Sequence, residues 1–153
     1  MRSTHSPLAA LCLLAACLAA LVSALHRFEH DSWLIVYLFL VGFAAQFLLG
    51  RGQAALAAPP GPSQTRYASQ ALLWNAGVIL VPAGVLIEAR LLVVVGGVTL
   101  LGALTEFAQS AGETRPQCGR DLRRQWRGQV TLIAFMTTSV FVGAALAWDT
   151  PWL

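Results

Sequence analysis

Two histidines four residues apart, in the run His26-Arg27-Phe28-Glu29-His30-Asp31, are the residues whose types and spacing come nearest to chemistry. On a helix, positions i and i+4 share a face. His26 and His30 would then present two imidazoles to one metal ion, with Glu29 or Asp31 as a third ligand. A metal or a haem is the group such a pair would take, and no other cofactor is expected. The same six residues meet a plainer demand: a connector between two apolar segments must be polar, and imidazoles serve equally in a solvated loop or a pH-sensitive contact. His5 cannot complete the set, because a long apolar segment separates it from the pair. Cys12 and Cys17, five apart inside that segment, face different directions, and Cys118 stands in a distant loop. No disulfide and no cysteine-based metal site is expected. Nor does a nucleophile stand with a base at a common depth, so enzymatic activity is not expected either.

A second constellation consists of polar residues inside or beside otherwise apolar runs: Gln46, Asn75, Glu106, Gln109 and Thr131. Amides and carboxyls in hydrocarbon are costly unless paired, so these residues are expected to face one another or reach an interface. A structural polar cluster, a substrate or proton site and a subunit contact all fit. The opposite half of the apolar segments offers no matching chain of acids, amides or histidines, which argues against a proton relay or channel built from a single chain.

The elements that must position these residues follow from composition. With 57% hydrophobic and 11% charged residues and a mean hydropathy of +0.66, the chain has too little polar surface to cover a soluble globule. Crossing a hydrocarbon core of roughly 30 Å takes about 20 predominantly apolar residues in a helix. Five such segments run approximately Leu8 to Leu25, Trp33 to Leu49, Ala71 to Glu88, Leu91 to Phe107 and Gln129 to Trp148. They are continuously apolar, whereas barrel strands alternate over about ten residues. The expected fold is therefore an all-α membrane protein, a single domain of five transmembrane helices. Only Glu88, Ala89 and Arg90 separate the third and fourth spans, which predicts a tight helical hairpin.

Arginine placement sets a direction. Arg2, Arg51, Arg66, Arg115, Arg120, Arg123, Arg124 and Arg127 fall on one side of this threading, and only Arg27 and Arg90 on the other. The positive-inside rule then puts the amino terminus in the cytoplasm and the carboxyl terminus outside a bacterial plasma membrane. Trp33, Trp148 and Trp152 fall at the outer interface, and Tyr67, Trp74 and Trp126 near the inner one. Half of the arginines lie in one inner loop, where Gly119 to Gly128 reads as a short interfacial helix. Arg120, Arg123, Arg124, Trp126 and Arg127 there would contact anionic headgroups, at about 1 kcal/mol for each arginine; an acidic cytoplasmic partner is the other reading. The net charge of +3 requires no nucleic acid. Leu14-Ala15-Ala16-Cys17 fits a lipobox and Val22-Ser23-Ala24 a cleavage site, but the chain stays apolar beyond both, so the first helix is expected to be retained.

Small residues recur on single faces: Gly42, Gln46 and Gly50; Gly77 and Gly84; Gly96, Thr99, Ala103 and Glu106; Thr131, Thr138 and Ala145. Such faces let spanning helices approach closely. Pro82 removes a hydrogen bond to the Val78 carbonyl and predicts a kink. Ala54 to Gln70, with its cluster of prolines, reads as a flexible linker.

The run Trp33 to Gly42, continuing through Gln46 and Leu49-Gly50-Arg51-Gly52-Gln53, together with Leu73-Trp74-Asn75-Ala76-Gly77, resembles uncharacterised small polytopic integral membrane proteins of actinobacterial type. The resemblance covers about the middle third of the chain. It implies a shared helical bundle, supplies no activity, and marks Trp33, Gln46, Gln53 and Asn75 as positions to test. Two functions are in play. The favoured one is a non-enzymatic accessory or assembly subunit, associating with a larger membrane complex or with copies of itself. The other is a small transporter or a metal- or haem-binding redox component.

Overall fold

The computed structural model describes residues 5–25, 31–56, 64–114 and 120–149. Apart from the turn at residues 87–89, all of them are helical. Five rods result. Helix α1 is His5–Leu25. Helix α2 is continuous but changes pitch: α-helical over Asp31–Tyr37, π-helical over Leu38–Ala45, and α-helical again over Gln46–Leu56. Helix α3 is Gln64–Leu86, α4 is Arg90–Thr114 and α5 is Arg120–Asp149. Among the described residues, four helices are long and apolar enough to cross a membrane, over Pro7–Leu25, Ser32–Ala54, Thr65–Leu86 and Arg90–Glu113. The fifth predicted span, 129–148, lies inside α5.

Several helices outrun the apolar segments that predicted them, and they do so at one end of the bundle. Helix α2 continues from Leu49 to Leu56, α3 begins at Gln64 rather than Ala71, α4 continues from Phe107 to Thr114, and α5 begins at Arg120 rather than Gln129. Two expectations change accordingly. The segment Gly119 to Gly128 is no separate interfacial helix, because residues 120–128 form the first turns of α5. The linker is shorter than Ala54 to Gln70, since both of its flanks are helical. The physical reason is shared: hydropathy falls where polar residues begin, but helices persist wherever those residues find partners on neighbouring helices.

The α3–α4 hairpin is as tight as its three-residue separation demands. The Ala89 amide donates to the Gly84 carbonyl at 2.8 Å and the Glu88 amide to Val85 at 3.3 Å, the paired bonds of a Schellman motif. That motif needs a left-handed residue, and Glu88 supplies it with φ 56°. Along the hairpin the backbones nearly touch. A Cβ at Gly84 would stand 2.7 Å from the Val93 nitrogen, and one at Gly96 2.9 Å from the Val81 nitrogen. Helix α3 runs unbroken through buried Pro82.

Helix α1 packs against α2, where Gly42 admits the Cys12 side chain. Helix α5 lies against α4 and the last turns of α2. The core gathers Leu49 of α2, Trp74 and Val78 of α3, Leu100, Ala103, Leu104 and Phe107 of α4, and Ile133 of α5. Trp74 meets Phe107 edge-on, with ring centroids 6.2 Å apart. Outside this core the surface is apolar: Leu11, Leu14, Leu18, Leu21 and Leu25 of α1 are all more than half exposed, as lipid-facing side chains would be.

Candidate functional site

Where the helices outrun their apolar segments, their polar residues meet in the bundle centre. Gln53 of α2, Gln70 of α3 and Ser110 of α4 are buried. Gln53 donates through Nε2 to Gln70 Oε1 at 2.8 Å. Gln70 donates in turn through Nε2 to Ser110 Oγ at 3.0 Å, and the Ser110 hydroxyl donates to the Glu106 backbone carbonyl at 3.0 Å. The hydroxyl at the end of this chain fixes the sense of the amides before it, since Ser110 has one proton to give. Gln129, also buried, ties α5 to α2 by donating to the Leu49 carbonyl at 3.3 Å. Gly52 makes room for it, because a Cβ there would collide with the Gln129 amide oxygen.

Around this centre lies an outer set of bonds. Ser69 donates to Glu106 Oε2 at 2.7 Å, and Arg66 forms an ion pair with Glu113 at 2.7 Å. Both join α3 to α4. The Trp126 indole donates to the Ala111 carbonyl at 2.7 Å, anchoring the start of α5 against α4.

The residues singled out by sequence take different places. Gln46 is fully buried in α2. Asn75 is half-buried and donates to the Ala71 carbonyl of its own helix at 2.7 Å. Glu106 is half-buried and accepts from Ser69, whereas Gln109 and Thr131 are exposed. The five therefore do not converge on one another; those that the bundle does join are Gln53, Gln70 and Ser110, with Gln129 bonded separately to the Leu49 backbone. The spacing held part of the signal, since Gln46 and Gln53 are seven apart and Gln70 and Trp74 four apart, each pair on one helical face; it held none that joins these helices to one another. Arg123, Arg124 and Arg127 are exposed on the first turns of α5, with Trp126 half-buried beneath them; the Arg120 side chain lies outside the described residues. So do His26 and His30. Among the described residues, no three histidine, cysteine or acidic side chains are grouped as a metal would need. Cys12 and Cys17 are free thiols.

Among the described residues, some buried side-chain polar atoms have no hydrogen-bond partner. Both amide atoms of Gln46, the Gln53 Oε1, the Trp74 Nε1 and the Tyr37 hydroxyl have none. All belong to α2 and α3. In an apolar surrounding each such group carries a desolvation cost of about 1–3 kcal/mol. No protein-family model, curated protein or solved structure matches this chain.

Proposed function

We propose that this chain is a non-enzymatic, multi-pass component of a bacterial plasma membrane, acting as an accessory or assembly subunit of a larger membrane complex. The observation that carries this reading is the chain Gln53, Gln70, Ser110. Gln53 Nε2, both amide atoms of Gln70 and the Ser110 hydroxyl are taken up in joining α2, α3 and α4, which suits a scaffold better than a reaction centre. Helix α5 keeps Thr131 and Thr138 on its exposed surface, side chains small enough to let a partner helix approach closely.

With α5 crossing as a fifth span beside the four long apolar helices, the number of crossings is odd. With the arginine bias, that supports a cytoplasmic amino terminus and an extracytoplasmic carboxyl terminus. Exposed Arg123, Arg124 and Arg127, with Arg120, then lie at the cytoplasmic headgroups, where anionic lipid attracts them. The resemblance to actinobacterial-type proteins supports the bacterial assignment. The test is mass spectrometry of complexes gently solubilised from native membranes. Stoichiometric co-purification of a second membrane protein or a second copy is expected; recovery solely as a lone monomer would sink the reading.

A further inference from the structure

The open polar atoms of Gln46 and Trp74 are not scattered. Helices α2 and α3 run antiparallel, and two contacts fix their register. The Cβ position of Gly42 lies 3.4 Å from a Val78 methyl, and Gln53 bonds to Gln70. Four residues on from Gly42 is Gln46; four residues back from Val78 is Trp74. The two therefore stand at the same level of the helix pair, each 1% exposed. An amide with a free donor and a free acceptor stands level with a free indole donor, and they do not bond to each other. A turn or two further along, Gln53 Oε1 offers another open acceptor on the same side of α2.

We propose that Gln46 and Trp74 clasp a small neutral molecule that carries at least one hydrogen-bond donor and one acceptor. The open groups are amide and indole, uncharged at every physiological pH, so they select dipoles and reject ions. Ala45, Leu49 and Val78, apolar members of the same buried core, offer such a molecule no side-chain hydrogen bond. Water meets this description, and so does a small amide or polyol. Its acceptor takes the Trp74 Nε1 proton, its donor faces Gln46 Oε1, and Gln46 Nε2 closes the ring of contacts. Such an occupant offsets the desolvation that the bare groups would carry. The site lies within one chain, so it persists in a lone monomer and does not depend on the partner-binding reading.

The test uses the full chain in lipid nanodiscs with ¹⁵N-labelled indoles, the five tryptophan signals being assigned by single Trp→Phe variants. The probes are water, urea and glycerol. A cross-peak between the Trp74 indole proton and long-lived water identifies solvent as the occupant; a saturable shift of that signal with urea or glycerol identifies a solute. Either supports the site. Gln46→Met must then abolish the effect while leaving the Trp33 and Trp126 signals in place; if that variant does not fold, Gln46→Asn, which draws the amide back by one methylene, must weaken it. A wild-type Trp74 proton with neither a water cross-peak nor a solute shift overturns the proposal, as does an effect that survives the loss of the Gln46 amide.

Discussion

Gln53 on α2 and Gln70 on α3 are joined by a buried hydrogen bond of 2.8 Å. Gln70 also donates to Ser110 on α4, so one side chain holds three helices in register. Removing it strands two partners at once. A buried group left without its bond costs about 1–3 kcal/mol, so Gln70→Leu is expected to destabilise the bundle by about 2 kcal/mol or more. The double variant Gln53→Leu/Gln70→Leu strands fewer polar atoms than the two single changes combined and should cost less than their sum. Reversible unfolding in mixed detergent micelles measures both. Simple additivity would show that the two amides act independently.

Close backbone approach makes a different demand on the α3–α4 hairpin. A Cβ at Gly84 would meet the Val93 backbone nitrogen at 2.7 Å, and backbone cannot rotate away. At Gly77 the nearest atom is Leu100 Cγ at 2.5 Å, again with backbone close behind. Gly84→Ala and Gly77→Ala should each cost about 1–3 kcal/mol through overpacking. Gly112, on the α4 arm of the hairpin, has nothing within 4 Å. There alanine should stabilise by up to about 1 kcal/mol through helix propensity alone. Comparing the three by thermal unfolding separates packing from propensity, and equal effects at Gly84 and Gly112 would refute the close approach.

These two regions differ in how far they could be read from residues. The hairpin was legible because Glu88-Ala89-Arg90 leaves no room for anything but a tight turn, and because glycines spaced by two turns mark a narrow face. The polar centre was only half legible. Gln46 stood out against apolar neighbours, but Gln53, Gln70, Ser110 and Gln129 lie where hydropathy already falls and so resemble loop ends. A helix continues through such residues when tertiary bonds support it, and those bonds form between residues 17 and 80 positions apart. Local pattern carries no information at that range. The π-helical stretch Leu38–Ala45 likewise has no mark in the sequence, and nothing in its packing explains it.

Strain at the hairpin turn supplies a test that runs toward greater stability. Glu88 holds φ 56°, a left-handed conformation that costs a residue with a Cβ about 1–2 kcal/mol. Glycine adopts it freely, though it returns about half of that gain through the entropy of the unfolded chain. Glu88→Gly is therefore expected to stabilise by about 0.5–1 kcal/mol and raise the melting temperature. Glu88→Val, branched at Cβ, should lower it. A Glu88→Gly variant that melts below wild type would mean that the exposed carboxylate contributes more than the backbone strain costs.

The direction of threading can be read from two exposed positions at opposite ends of the bundle. Glu88 lies in the α3–α4 turn and Gln125 on the first turns of α5, among Arg123, Arg124 and Arg127; all are exposed. If arginines mark the cytoplasmic side, position 125 faces the cytoplasm and position 88 the exterior. The natural thiols Cys12, Cys17 and Cys118 are first replaced by alanine. A membrane-impermeant maleimide applied to intact cells should then label Glu88→Cys at once and Gln125→Cys only after permeabilisation. The reverse pattern would invert the bundle and move the arginine-rich end of α5 away from the anionic cytoplasmic leaflet. Labelling of both sites in intact cells would break the assumption that α3 and α4 are a closed transmembrane hairpin, since positions 88 and 125 could then no longer lie on opposite faces of one membrane.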